Sequence, residues 1–233
     1  MKGIQLIFFV ANLFYTNGYA QNNSIIRSGD TYLLSLEYRT EAANSTVEGL
    51  TLDEIKGSPY LSKDFADSYI LTKKDSIVGL RLRYNIYNDV IEFEKEDKAY
   101  ELPYNYDYLK VVINHRVFQR IKFMKSNNTE HIGYLELVED GPVKLYCRRR
   151  TRFYPAKPAD PYGEARQAEF REQSLSFFCS TQDKSPFEFE NKKDLLKVLP
   201  ADLQDKAVKY LKGNKTKFWN KEDLVRLFDN LNN

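Results

Sequence analysis

The chain has 233 residues, 29% of them charged, with 35 Lys and Arg against 33 Asp and Glu and a formal net charge of +2. That balance names no polyanionic partner and argues against nucleic acid as a ligand. Tyr (17) and Phe (15) are abundant while Met, Trp and His are scarce, a bias that favours strands over helices.

Lys2 is the only charge before an apolar run from Ile4 to Tyr15, which Gln5 and Asn12 interrupt. Thr16 and Asn17 follow, then Gly18-Tyr19-Ala20 with small residues at its first and third positions. This is the layout of a secretory signal over 1–20, with Gln21 as the expected mature N-terminus. The run is shorter than the ~20 apolar residues a membrane span needs, and no later stretch reads as a transmembrane segment. Because Gln21 is not a cysteine, no lipid anchor of the bacterial type is implied. Asn-x-Ser/Thr sequons at Asn22, Asn44, Asn127 and Asn214 are expected by chance in a chain this rich in Asn, Ser and Thr.

Residues 21–56 form an irregular N-terminal segment. One strand is expected over Thr31–Arg39, followed by a polar loop over Thr40–Thr46. From Gly57 strand signals repeat at short intervals. Val78, Leu80, Leu82 and Tyr84 alternate with Gly79, Arg81 and Arg83, the period of two that a half-buried strand requires. Asn88-Asp89, Glu96-Asp97, Asn114-His115, Ser126–Thr129 and Asp140-Gly141 mark turns between strands at about 90–94, 98–102, 108–113, 116–123, 131–139 and 142–154. A Pro-rich loop through Pro155, Pro158 and Pro161 to Gly163 precedes strands at about 173–180 and 186–190. Short turns join neighbours antiparallel, so 57–190 reads as an antiparallel β-meander, either an open sheet or a small barrel.

At Asn191 the period changes. Asn191 is a good N-cap with Leu195, Leu196 and Leu199 behind it, and Pro200 can open a second helix that Gly213-Asn214 ends. Asn220 caps a third, with Leu224, Leu227, Phe228 and Leu231 on one face. Residues 191–233 are thus a unit of two or three short helices, too small to be stable alone and expected to pack on the sheet or on a partner. The fold class is mainly β, of the α+β type.

Cys147 shares the apolar row of Val143 and Leu145, and Cys179 that of Leu175 and Phe177. Gly163 is the midpoint of 147 and 179, so a symmetric hairpin sets the cysteines opposite one another. With export, this predicts a Cys147–Cys179 disulfide contributing about 3–4 kcal/mol. The alternative is two buried thiols acting as small hydrophobes. By the same alternation Arg148, Arg150 and Arg152 share the outer face with Tyr146 and Tyr154, an arrangement able to grip phosphate, carboxylate or anionic glycan. The plainer reading is a solvated face paired with Glu169 and Glu172.

His115 and His131 sit at turns or strand ends, and no spacing of His, Cys or carboxylates suggests a metal site. Ser58, in Gly57-Ser58-Pro59, lacks the Gly-x-Ser-x-Gly elbow of serine hydrolases. Glu92, Glu94, Glu96 and Asp97 read as the solvent side of one hairpin, with Ile91 and Phe93 inward. No cofactor is implied.

Three segments carry a family resemblance: Lys56-Gly57-Ser58-Pro59-Tyr60-Leu61, Arg83-Tyr84-Asn85-Ile86-Tyr87-Asn88 and Asn191-Lys192-Lys193-Asp194-Leu195-Leu196. In these the chain resembles uncharacterised exported proteins of Bacteroidota. The resemblance implies periplasmic or outer-membrane-associated residence and brings no catalytic residues; the cysteines and the Arg row are not features of that family. The functional expectation is a non-catalytic interaction or structural module of the envelope with a protein or glycan partner. The alternatives are a periplasmic hydrolase whose site assembles only in the fold, and a binder of anionic glycan or lipid through the Arg148/Arg150/Arg152 face.

Overall fold

The computed structural model describes residues 25–29, 46–105, 108–159, 164–181 and 184–233. The signal segment, the cleavage point before Gln21, the Thr31–Arg39 strand, most of the Thr40–Thr46 loop, and Pro161 and Gly163 of the Pro-rich loop lie outside the described residues. Within them the chain is mainly β and ends in three helices.

The strands in chain order are β1 (Ile25–Ser28), β2 (Thr46–Val47), β3 (Leu50–Thr51), β4 (Ala66–Thr72) and β5 (Asp75–Asn85). Then come β6 (Val90–Lys95), β7 (Lys98–Glu101), β8 (Tyr108–Ile113), β9 (Arg116–Met124) and β10 (Glu130–Glu139). The last are β11 (Val143–Arg148), β12 (Thr151–Tyr154), β13 (Glu169–Glu172), β14 (Ser176–Thr181) and β15 (Phe187–Phe189). The helices are α1 (Lys192–Val198), α2 (Ala201–Gly213) and α3 (Lys221–Asn232).

The expected turns form where expected, for a local reason. Asp89, Glu96, Asp97, Asn114 and His115 all take positive φ, the conformation tight hairpins demand and short polar residues tolerate. One phase differs from the sequence pattern. Gly79 also has positive φ (+72°), and the β4–β5 register slips beside it, from Ser68↔Leu80 to Ile70↔Ile77. The bulge turns Val78 outward and puts Ile77 in the core with Leu80, Leu82 and Tyr84.

The sheet is both open and closed. Its open part runs β7-β6-β5-β4-β8-β9, with β1 added parallel to β5. Its closed part is the five-stranded ring β9-β10-β11-β14-β15, completed where Phe187 meets Met124 in parallel and the Met124 N–H donates to Pro186 O (2.8 Å). β9 belongs to both. One edge pairs with β10 along most of its length, while the other is divided between β8 at its start and β15 at its end.

Closure changes what alternation means. Phe123, Leu135, Tyr146 and Phe178 meet across the ring, with Phe123 edge-on to Phe178 at 4.9 Å. The opposite row of β11, β14 and β15 (Val143, Leu145, Cys147, Phe177, Cys179, Phe189) is covered by Leu195, Leu224, Leu227, Phe228 and Leu231 of the helices. The C-terminal unit therefore packs on the barrel. Asn191 and Asn220 cap α1 and α3 by accepting from the Asp194 and Asp223 N–H groups, and Asn232 at the end of α3 clamps the N–H and C=O of Val143.

The disulfide is a correction. Cys147 and Cys179 are both free and buried. In the β11–β14 register Cys147 faces Phe177 and Cys179 faces Leu145, two residues from the symmetric pairing. The hairpin continues past a break at Arg149-Arg150 as β12–β13 with its register changed by only one residue, and the β11–β14 pairing is centred one residue before Gly163, which moves each cysteine two places from the other. The cysteines become diagonal neighbours, too far apart for a bridge, whose Cβ atoms must approach to about 4 Å. Burial pushes both thiols up to about 12, with the Glu136 charge adding to the rise at Cys147. In the folded protein neither thiol should react with a maleimide on a timescale shorter than unfolding, and two should titrate once guanidinium is added.

Candidate functional site

The predicted Arg row does not share one face. Arg148 continues the inward row of Tyr146, so it enters the barrel mouth with only about a tenth of its side chain exposed, and Tyr146 is buried among the barrel aromatics. Arg149 reaches Glu172 (2.6 Å), and Arg150 donates weakly to Tyr87 O (3.4 Å). Only Arg152 lies exposed beside Tyr154, whose ring also receives Arg171, itself paired with Glu169. Of the anion-binding set, Arg152 is exposed and Arg150 and Tyr154 are half-buried, while Arg148 is nearly covered and Tyr146 is buried, because their row faces the barrel interior.

Arg148 finds its partner across the fold. Asp89, at the positive-φ position of the β5–β6 turn, inserts into the barrel mouth and accepts from Arg148 Nη2 at 2.7 Å. The Tyr84 hydroxyl and the Tyr134 N–H donate to the other carboxylate oxygen. The guanidinium lies 4.9 Å over the Phe123 ring. Burial and then the Asp89 charge hold the Tyr84 phenol well above its ordinary range. Gly133 makes room: a Cβ there would lie 2.3 Å from Asp89 Oδ2 and 2.8 Å from Arg148 Nη2.

A second buried carboxylate, Glu136, stands on the other face of the same wall, where the barrel, the open sheet and the helices meet. It pairs with Arg116 from β9 and with Lys221 Nζ (3.1 Å) from the first turn of α3, and accepts from Cys147 Sγ (3.2 Å). Burial pushes its carboxyl up, but Arg116 and Lys221 together outweigh that and hold it at about 2. A third, Glu92, corrects the solvent-side expectation. It is 1% exposed, with Arg83 at 2.7 Å and the Asn85 amide at 3.1 Å, and Arg83 stacks on Tyr60 and Phe65. Glu94 does lie outside, on Arg81. All three carboxylates are thus engaged by basic groups in the fold.

His115 and His131 lie at hairpin ends as expected, His131 stacked on Phe123. Ser58 Oγ accepts the Tyr60 N–H, a local turn contact. Among the described residues no group of three or more His, Cys, Asp and Glu is placed to hold a metal. The segment Lys56–Leu61 is structural lacing: the Lys56 N–H donates to Ala168 O, the Phe170 N–H to Lys56 O and the Leu61 N–H to Tyr84 O. Gly57, with φ +86°, passes so close to Phe170 O that a Cβ would sit 2.3 Å from it.

A shallow, open groove of about 520 Å³ lies between α1 and α2. Leu196 supplies apolar floor, Gln204 closes one side, and Lys192, Lys193 and Lys197 form a basic rim. Of the leucines expected behind the Asn191 cap, Leu195 and Leu199 are buried and Leu196 is only half-buried. The signal for Glu136 was present but unread: an acid in the row of Tyr134 and Val138. Protein-family models, curated proteins and solved structures were compared with the chain, and none matches.

Gly133→Ala should cost about 2–3 kcal/mol in chemical unfolding, because the methyl group overpacks a charged pair. In a double-mutant cycle with Asp89→Ala the two losses should fall well short of additive. For Glu136 the sign follows from its lowered pKa. The carboxyl is harder to protonate folded than unfolded, so its contribution is complete above about pH 4.5 and is lost as the pH falls toward about 2. Glu136→Gln should flatten that acid limb of the stability profile and lower stability at neutral pH by about 1–3 kcal/mol.

Proposed function

We propose that the protein is an exported, non-catalytic interaction module of a bacterial envelope, in which the barrel is a rigid support and the helical unit carries the binding surface. The α1–α2 groove is the observation that carries this reading: an apolar floor under a basic rim suits an amphipathic, acidic segment of a partner protein. The engagement of Asp89, Glu92 and Glu136 by neighbouring arginines and a lysine supports it, since these carboxylates already serve the architecture. Export and envelope residence rest on the signal-like segment 1–20 and on the resemblance in residues 56–61, 83–88 and 191–196.

Crosslinking in intact envelopes tests the reading. The wild-type chain should capture a defined partner reproducibly, and Leu196→Glu with Lys193→Glu should reduce capture at least tenfold while leaving the thermal midpoint within about 2 °C. Equal capture by wild type and variant would remove the groove from the reading. Turnover of a substrate abolished by a single carboxylate substitution would overturn it.

A further inference from the structure

The charges of the sheet are matched across strands: Arg81 with Glu94, Arg83 with Glu92, Arg116 with Glu136 and Lys122 with Glu130. The end of α2 and the turn into α3 break that rule. Between positions 206 and 221 the chain carries Lys206, Lys209, Lys212, Lys215, Lys217 and Lys221 and no Asp or Glu. Lys221 turns inward to Glu136. Lys209, Lys212, Lys215 and Lys217 are exposed, and none forms an ion pair with a described residue. A basic residue in the last turn of a helix answers the helix dipole, which accounts for Lys212. It does not account for Lys215 and Lys217, which lie beyond the helix.

The single tryptophan of the chain, Trp219, follows Lys215 and Lys217 in the same turn with 75% of its surface exposed, the most open of the exposed large hydrophobic residues among those described. The turn around it is held firmly. Phe218 packs edge-on to Phe189 in the helix–barrel core. The Lys217 N–H donates to Asp223 Oδ2 (2.8 Å), the Asn220 N–H donates to Lys217 O (3.0 Å), and Asn220 caps α3. With Phe218 anchored inward, its neighbour Trp219 is presented outward.

An indole on a pinned turn, with Lys215 and Lys217 close by in the chain and without ion-pair partners among the described residues, has the chemistry of a membrane interface: the ring settles at headgroup depth while the ammonium groups meet anionic lipid. We infer that the turn at 214–220, with the end of α2, is a peripheral docking site for an anionic membrane surface. This goes beyond the module reading and requires neither the α1–α2 groove nor a protein partner. Among the described residues no helix is long and apolar enough to cross a membrane.

Because Trp219 is the sole tryptophan, its emission reports the contact directly. Mixed with phosphatidylglycerol-containing vesicles at low salt, the full chain should show a blue-shifted, acrylamide-protected emission, and vesicles of phosphatidylcholine alone should leave it unchanged. Co-sedimentation should weaken about tenfold with Trp219→Ala, and about a hundredfold with Lys212→Gln, Lys215→Gln and Lys217→Gln combined, at roughly fivefold per lysine. Half-molar salt should release the wild type. All four positions are exposed, so the variants should keep the wild-type unfolding midpoint. Absence of binding to anionic vesicles, binding indifferent to these substitutions, or the same emission shift with inorganic phosphate alone would overturn the inference. Partner capture through the groove would be untouched by that failure, so the two readings fall separately.

Discussion

The Asp89–Arg148 pair in the barrel mouth is the contact on which the arrangement of the whole molecule turns. Asp89 comes from the open sheet, Arg148 from the closed one, and neither carboxylate nor guanidinium could stay buried without the other. The Tyr84 hydroxyl, the Tyr134 N–H, the Phe123 ring and the space left by Gly133 complete the site. Such a pair adds little net stability over an apolar plug, but it penalises every misdocked arrangement that would strand a charge. It specifies where the β5–β6 turn sits against the ring.

β9 supplies the geometric counterpart. One strand cannot pair along its full length with two neighbours on the same edge, so dividing that edge between β8 and β15 forces the sheet to split there. The split creates three apolar compartments: the open-sheet core around Tyr84 and Phe118, the barrel interior around Phe123 and Phe178, and the helix-covered face around Phe189 and Phe228. Glu136 lies at their junction and draws one cation from β9 and one from α3. The helical unit is thereby tied to the barrel by charge as well as by its leucines.

The surface divides along the same line. Charges on the sheet are largely answered by cross-strand partners, such as Arg81 with Glu94 and Arg83 with Glu92. The helical unit instead carries the basic-rimmed groove at one end of α2 and Trp219 with its lysines at the other.

Sequence by itself determined what depends on near neighbours. The hairpin turns at Asn114-His115 and Glu96-Asp97, the caps at Asn191 and Asn220 and the leucine face of α3 follow from backbone sterics and short-range hydrogen bonds, and all are present. The parity of β11 was legible too, since Cys147 does join Val143 and Leu145 in one core. What only the tertiary structure decided is what lies on the other side of that parity. Alternation assigns two faces without saying whether the second meets water, and a closed, helix-covered barrel buries both. That is why Arg148 and Tyr146 point inward. Glu92 is buried for a related reason, because Arg83 and Asn85 converge on its side chain. The cysteine register likewise depended on where the β11–β14 hairpin is centred, one residue before Gly163, and ring closure on a single bridge between Met124 and Phe187. Contacts between residues so far apart in the chain are set by packing in three dimensions, which no local pattern records.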